Sequence, residues 1–586
     1  MSYIDPYDHL HTRVVHLLTQ IYVDVSPLVD VALVAETLLR EMRLDHSTTQ
    51  PVPHKNVWDQ RDAWIITYGD TVLKEGEKPL KTLKNCIDRY FSSVINGVHI
   101  LPFYPYSSDD GFSVLDYSSV NEALGDWSDI KAIGESYLLM ADLVINHCSS
   151  RSLWFQNFLK KEDPGADFFV TISPGDDLSQ VVRPRESDLR KVVETVTGPC
   201  AVWCTFSHDQ VDLNFKNPEV LRQFVSTIRF YLDQGVRVFR LDAVAFLWKI
   251  VGTACINLPQ THAIVRLLRE LIEHAATDAI VITETNIPNA ENLSYFGNGN
   301  EAHAVYNFSL PPLLLHTLVS GDCTHLSQWM MGMPQAQTGT TYFNFIASHD
   351  GIGMRPAEGL LNESELQTLI DSMEIRGGKL SRRSTDQGKS SVYEINIALF
   401  DALLDPVDTD PVSVIDRMRC AHAIMFALAG IPGIYIHSLI GTRNDLMRLD
   451  HLGYNRAINR KQWLEAELAE ALEDSGSSHA KVLSALTALL AIRRRQAAFH
   501  PNAAQFLLHL SPAVFGFWRE SLDARQRIFC LFNITSVSQV VHLADLNLVE
   551  PYWVDLISGD DHLDRNQAVT LSGYQSIWLT NLPNHQ

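Results

Sequence analysis

Short apolar runs alternate with amphipathic stretches from position 63 to position 437. Ala63–Thr67, Gly97–Leu101, Leu139–Ile145, Val236–Leu241, Ala279–Thr283, Thr341–Ile346 and Gly433–His437 have the length and β-branched content of buried strands. Helical spacing fills the intervals at Leu80–Ile95, Pro218–Leu232, Gln260–Ala275 and Met418–Ala429. Strands alternating with helices build a parallel sheet. Seven or eight such units predict an α/β fold, a (β/α)8 TIM barrel with its chemistry at the C-terminal ends of the strands.

The flanks follow other patterns. Residues 1–60 lack strand patterning, and Val31, Val34, Ala35, Leu38, Leu39 and Met42 fall on one helical face, which predicts an N-terminal helical extension. The barrel is expected over 61–503. Positions 152–215, rich in Pro, Gly, Asp and aromatics, are too long for a plain strand-to-helix loop and predict an inserted, lid-like domain over the site. A second irregular stretch covers Met354–Glu394. From 504 to 586 short strands follow one another without helices (506–510, 514–518, 528–532, 540–543 and 576–579), which predicts a small C-terminal β-sandwich.

Composition narrows the class. The 586 residues are 46% hydrophobic and 20% charged, as in a soluble globular protein. No apolar run nears the ~20 residues that span a bilayer, and Met1-Ser-Tyr-Ile-Asp-Pro6 has no basic-then-apolar leader, so neither a membrane nor secretion is expected. The eight cysteines lack metal-ligand spacing; Cys200 and Cys204 form the closest pair and have no second pair to complete a zinc site. Unpaired thiols suit a reducing cytoplasm. A net charge of −22 argues against a nucleic-acid partner. The surplus reads as solubility or, more sharply, as adaptation to salt.

Four apolar runs end on residues suited to sugar chemistry: Asp142–His147, Phe239–Asp242, Ile282–Glu284 and Ser348–Asp350. Arg240 and Asp242, two apart on a strand, share a face. A guanidinium keeps a buried carboxylate ionised, and such a carboxylate is either a nucleophile for an anomeric carbon or half of a structural ion pair. Glu284, ending the next strand, is either a general acid/base or a helix N-terminal glutamate. Asp350, ahead of the flexible Gly351-Ile-Gly353, could grip two sugar hydroxyls and stabilise positive charge, and His147 and His349 could bind further hydroxyls. No P-loop, GxGxxG, HExxH or GxSxG is present. The three carboxylates account for a reaction without metal or cofactor.

Together these stretches resemble the signature regions of the α-amylase superfamily (glycoside hydrolase family 13). The resemblance is closest to its sucrose-phosphorylase branch, through Leu101–Tyr106, Asp109–Phe112, Val182–Arg185, Arg240–Val244, Leu310–His316, Ser348–Gly353 and Gly453–Arg460. It spans roughly residues 60 to 500. It implies Asp242 as nucleophile, Glu284 as acid/base and Asp350 as transition-state stabiliser. Asp109 and Arg456 would pair to hold the far side of a glucose. His147, Arg240 and His349 would bind its hydroxyls, and Phe206 and Gln210 would wall the site. Arg185 resembles a phosphate-binding arginine and Tyr393 a mobile-loop tyrosine. The implied reaction is a double displacement with inorganic phosphate as co-substrate, giving α-glucose 1-phosphate in a monomer or homodimer.

The helical N-terminus, Glu284-Thr-Asn-Ile-Pro288 and Ala245-Phe-Leu-Trp-Lys249 look more like the glucosylglycerol and glucosylglycerate phosphorylases than the sucrose enzymes. A glycerate carboxylate calls for a cation, and Arg355 or Lys249 could serve. The acidic composition tips the expectation narrowly to 2-O-α-D-glucosylglycerol, with 2-O-α-D-glucosylglycerate beside it. Alternatives are a sucrose or sucrose 6′-phosphate phosphorylase, an α-glucosidase or transglucosidase that ignores phosphate, and a non-catalytic sugar-binding protein.

Overall fold

The computed structural model describes residues 6–582 apart from 26, 46–48, 186, 385–389, 408–410, 547 and 561–562. The Met1–Asp5 stretch expected to lack a leader lies outside the described residues. Eight parallel strands close a barrel in sequential order: β1 (Trp64–Thr67), β2 (Gly97–Ile100), β3 (Leu138–Val144), β4 (Val236–Asp242), β5 (Ile280–Thr283), β6 (Ala304–Tyr306), β7 (Thr341–Asn344) and β8 (Ile431–Tyr435). Seven were expected from sequence. The eighth, β6, is only Ala-Val-Tyr, too short to show a period.

Register explains how the barrel interior fills. Trp64 on β1 lies opposite Gly97 on β2 and Gly433 on β8. A Cβ on Gly97 would come within 2.3 Å of the Trp64 ring, and one on Gly433 within 2.3 Å of Phe343. The two glycines therefore make room for the Trp64–Phe343 ring pair, whose centroids are 5.5 Å apart.

Two helices precede the barrel, α1 (Pro6–Ile21) and α2 (Val31–Glu41). Asp30 caps α2 by accepting from the Leu33 amide, and Ala35, Leu38 and Leu39 bury the expected face. α1 packs on Pro259–Ala275 and α2 on Pro218–Asp233, so the extension covers the outside of the barrel. Of the described helices, none is long and apolar enough to cross a membrane.

The 152–215 insertion holds a helix, Leu153–Lys160, and a three-stranded sheet of Thr171–Ile172, Gly198–Trp203 and Arg190–Thr195. The Met354–Glu394 stretch, expected to be irregular, instead contains the helix Glu363–Ile375 and the antiparallel strands Lys379–Ser384 and Ser390–Asn396. Its helix start is written locally: Asn362 and Glu365 form a reciprocal capping box. At the C-terminus a six-stranded sheet and a two-stranded sheet (Gln539–His542 with Ala568–Leu571) enclose an apolar core of their own around Phe529, Leu531, Leu543 and Trp553. Strands at Tyr552–Asp555, Leu563–Asp564 and Ala568–Leu571 join those read from the sequence.

Candidate active site

A row of charges crosses three strands below the C-terminal rim. Arg240 on β4 is in register with Asp142 on β3. Its Nη1 donates to Asp142 and, at 2.7 Å, to Asp242 Oδ1. Asp142 also meets His99 Nε2 from β2 at 2.6 Å. Asp142 is fully buried, yet Arg240 and then His99 outweigh its burial and hold it below the usual carboxylate range. This relay is legible only in part from the sequence, which marks the Asp142 strand but gives that residue no partner.

Asp242 ends β4, and Ala243 follows with φ of 50°. That conformation strains a residue bearing a Cβ, and strain at a site marks a backbone held for a purpose. Here the Ala243 N–H donates to Glu284 Oε2 at 2.9 Å, aiming the carboxyl that ends β5 toward its neighbour. Arg240 Nη2 is 3.9 Å from the same oxygen. Burial raises both carboxyls, and the Glu284 charge raises Asp242 further, while Arg240 opposes at both. Two carboxyls raised in this way titrate as a unit. The 2.7 Å guanidinium contact favours charge on Asp242, leaving the proton on Glu284.

Asp350 completes the trio on the far wall. Burial acts to raise it, but Arg456, Arg460, Arg240 and Arg185 prevail and hold it low. Arg456 Nη1 lies 2.6 Å from Asp350 Oδ1. The expected Arg456–Asp109 ion pair does not form. Arg456 instead grips Glu394 through Nε at 2.8 Å and Nη2 at 2.9 Å. Asp109 accepts from Gln210 Nε2 at 3.1 Å. Both still face the cavity. Glu394 and Arg460 have no role in the sequence reading. Glu394 reaches the site through the unexpected strand Ser390–Asn396.

The three carboxylates open onto one cavity at the C-terminal rim of the barrel. Asp242, Glu284 and Asp350 line it together with His147, His349 and Asp109. His147 Nε2 donates to the Phe112 carbonyl at 3.0 Å, fixing its ring against Phe206 at 5.2 Å. His349 stacks flat on Phe112 at 5.1 Å. Phe112 thus braces two expected sugar ligands, although the sequence reading used it only as part of a motif.

On the outer side of the cavity Arg185 lies over the Tyr393 ring at 5.5 Å. Among the described residues no carboxylate is within ion-pair distance of Arg185. Asn286 Nδ2 donates to the Tyr393 hydroxyl at 3.3 Å, and burial pushes that phenol up to about 12. Arg355 does not line the cavity. It lies in the short turn Arg355–Ala357, where burial and then Arg383 lower its basicity. Lys249, the other suggested acceptor cation, is withdrawn from the site. Its Nζ is 2.6 Å from Asp212 Oδ2 and donates to Asn146 Oδ1 at 2.7 Å and to the Phe246 carbonyl, in the turn Val244–Phe246, at 2.5 Å.

Comparison with known proteins places this arrangement. The α-amylase catalytic-domain model matches residues 90–353. A glucosylglycerate phosphorylase of Spirochaeta thermophila is 42% identical over 531 residues, covering 89% of this chain and 90% of the relative. The chain belongs to the α-amylase family. Within that family a glucosylglycerol phosphorylase of Marinobacter adhaerens is 30% identical, covering 74% of this chain and 87% of the relative. The crystal structure of a sucrose 6F-phosphate phosphorylase from Thermoanaerobacter thermosaccharolyticum superposes with a TM-score of 0.70 at 27% identity, over 81% of this chain and 94% of that one. The closed barrel is that family's fold, and the chain is an enzyme of its phosphorylase branch.

Proposed function

We propose that the protein is a retaining phosphorylase that moves the glucosyl unit of 2-O-α-D-glucosylglycerate to inorganic phosphate, releasing glycerate and α-D-glucose 1-phosphate. The observation that carries the choice of acceptor is the split in similarity: the glucosylglycerate relative matches at higher identity, and over more of both chains, than the glucosylglycerol relative. This reverses the narrow preference for glucosylglycerol. That preference rested on surface acidity, which acts on solubility and not on a buried acceptor site.

Asp242 attacks the anomeric carbon as the bond to the glycerate oxygen breaks, and Glu284 gives its proton to that oxygen. Asp350 faces the positive charge that grows on the ring, and Arg240 holds Asp242 ionised and in line. A phosphate oxygen then attacks the same carbon, the bond to Asp242 breaks, and Glu284 takes back a proton. Asp109, His147, His349 and Arg456 hold the glucose, with Phe206 and Gln210 as walls. Arg185, free of any ion pair among the described residues, takes the glycerate carboxylate in the first half and phosphate in the second. Each anion offers the guanidinium fork a pair of oxygens, so the same two N–H groups serve carboxylate and phosphate in turn. Tyr393 shapes that subsite, and Arg355 adds positive field behind it.

The test is glucose 1-phosphate release from a panel of 2-O-α-glucosylglycerate, 2-O-α-glucosylglycerol, sucrose and sucrose 6′-phosphate. Release from glucosylglycerate at least tenfold faster than from the others is expected. Free glucose produced at one rate with and without phosphate would leave a hydrolase on the same carboxylates.

A further inference from the structure

The Leu310–His316 motif runs along a barrel helix, and nothing in the proposed reaction uses its histidine. His316 lies on Leu310–Ser320, which follows β6; His325 lies on the next helix, Thr324–Gly332; Glu365 opens the helix Glu363–Ile375. One ligand atom from each falls within 4.8 Å of the other two. His325 Nε2 and Glu365 Oε1 are 2.9 Å apart, and the His316 and His325 rings meet edge-on at 5.7 Å. Among the described residues His316 has no hydrogen-bond partner for either ring nitrogen. All three side chains are half-buried, so an ion can reach them from solvent.

We propose that His316, His325 and Glu365 bind one divalent ion of the zinc class, with water completing the coordination. Two imidazoles and one carboxylate are the donor set that suits zinc, and a three-residue site leaves a fourth position open. Tetrahedral zinc ligands at ~2.0–2.1 Å sit ~3.3–3.5 Å from one another. Small rotations that part His325 from Glu365 and draw His316 inward reach that spacing. The carboxylate is already oriented from behind, because Glu365 Oε2 accepts the Asn362 amide at 2.8 Å in the capping box, leaving Oε1 for the ion.

The site joins two parts of the molecule. Glu363–Ile375 belongs to the 354–396 excursion that delivers Tyr393 and Glu394 to the rim, and the two histidines belong to the helices after β6. A bound ion therefore pins that excursion to the barrel, next to the existing hydrogen bond from Ser309 Oγ to the Pro356 carbonyl at 3.0 Å.

Full-length protein stripped with chelator and titrated with Zn2+ alone is expected to bind one equivalent at micromolar Kd or tighter by calorimetry, and Co2+ is expected to give visible d–d absorption. His316→Ala and Glu365→Gln should each weaken binding at least tenfold; Glu365→Gln keeps the cap and so the fold. His16→Ala, remote from the cluster, should change nothing. In the unmodified protein Zn2+ should slow amide exchange across 363–375. Absence of saturable binding, or equal affinity in the H316A and E365Q proteins, or exchange over 363–375 indifferent to Zn2+, overturns the proposal.

Discussion

Arg240 touches Asp142 and Asp242 through one nitrogen and faces Glu284 through another, so it governs the charge of the whole rim. Its neighbours divide the labour by distance: the carboxylate it binds keeps the charge, and the one it only approaches keeps the proton. On the proposed mechanism, Asp242→Asn should abolish turnover of every substrate, by at least ~10^4-fold, because it removes the nucleophile. Glu284→Gln should behave differently. With α-glucosyl fluoride, whose leaving group needs no proton, it should still form the glucosyl-enzyme at a rate within about tenfold of the parent, while losing ~10^2–10^4-fold on a glycoside. The pH profile carries the sign. Burial raises Glu284, so its acid form persists above the ordinary carboxyl range, and kcat/KM should fall on the alkaline side as that proton is lost. In the Gln variant that limb should vanish; a limb that survives would assign the proton to another group.

Among the elements, the strands needed least long-range help to be recognised. An apolar run with β-branched residues reads as a strand wherever it lies, so seven of the eight were visible, and the three-residue β6 was not. The helix Glu363–Ile375 had a local signal in Asn362-x-x-Glu365, which the surrounding polar composition obscured. The interior packing is a matter of register. Because a Cβ on Gly433 would meet the Phe343 ring at 2.3 Å, with backbone strands on both sides unable to yield, Gly433→Ala should cost about 1–3 kcal/mol. Thermal unfolding should show this as a drop of several degrees with far-ultraviolet dichroism unchanged. A midpoint equal to the parent's would mean that the ring turns aside.

Across the whole molecule, buried titratable groups set the response to acid. His422, fully buried with Nδ1 on the Met418 carbonyl, is lowered by burial to about 4. His437 is lowered by burial to about 3. A histidine depressed in the fold stays neutral while the unfolded chain takes up its proton near 6.5, so stability falls as pH drops from about 6.5 toward 4. The lowered Asp110, Asp142 and Asp350 continue the loss below the unfolded carboxylate range, near 4. The raised Asp62 and Asp70 act in the opposite sense. His422→Gln keeps a donor for the Met418 carbonyl and removes the titration. It should flatten the decline between pH 6.5 and 4 by up to about 3 kcal/mol, read as thermal midpoints at a series of pH values. An unaltered slope would place the acid sensitivity elsewhere.

The sequence by itself determined seven of the eight barrel strands, the family, and three carboxylates, Asp242, Glu284 and Asp350, that the fold brings to one cavity. Each of those carboxylates ends an apolar run, and a run and its terminus are neighbours in the chain. Only the tertiary structure decided which charges meet. Arg456 was expected beside Asp109 and is held by Glu394 and Asp350; Lys249 was a candidate for the acceptor and is bound to Asp212; Arg460 and Glu394 entered without notice. The reason is physical. A pattern along the chain reports on a few residues of local conformation and burial. The partner of a guanidinium is whichever carboxylate the closing barrel and its long excursions carry to the same few ångströms of rim.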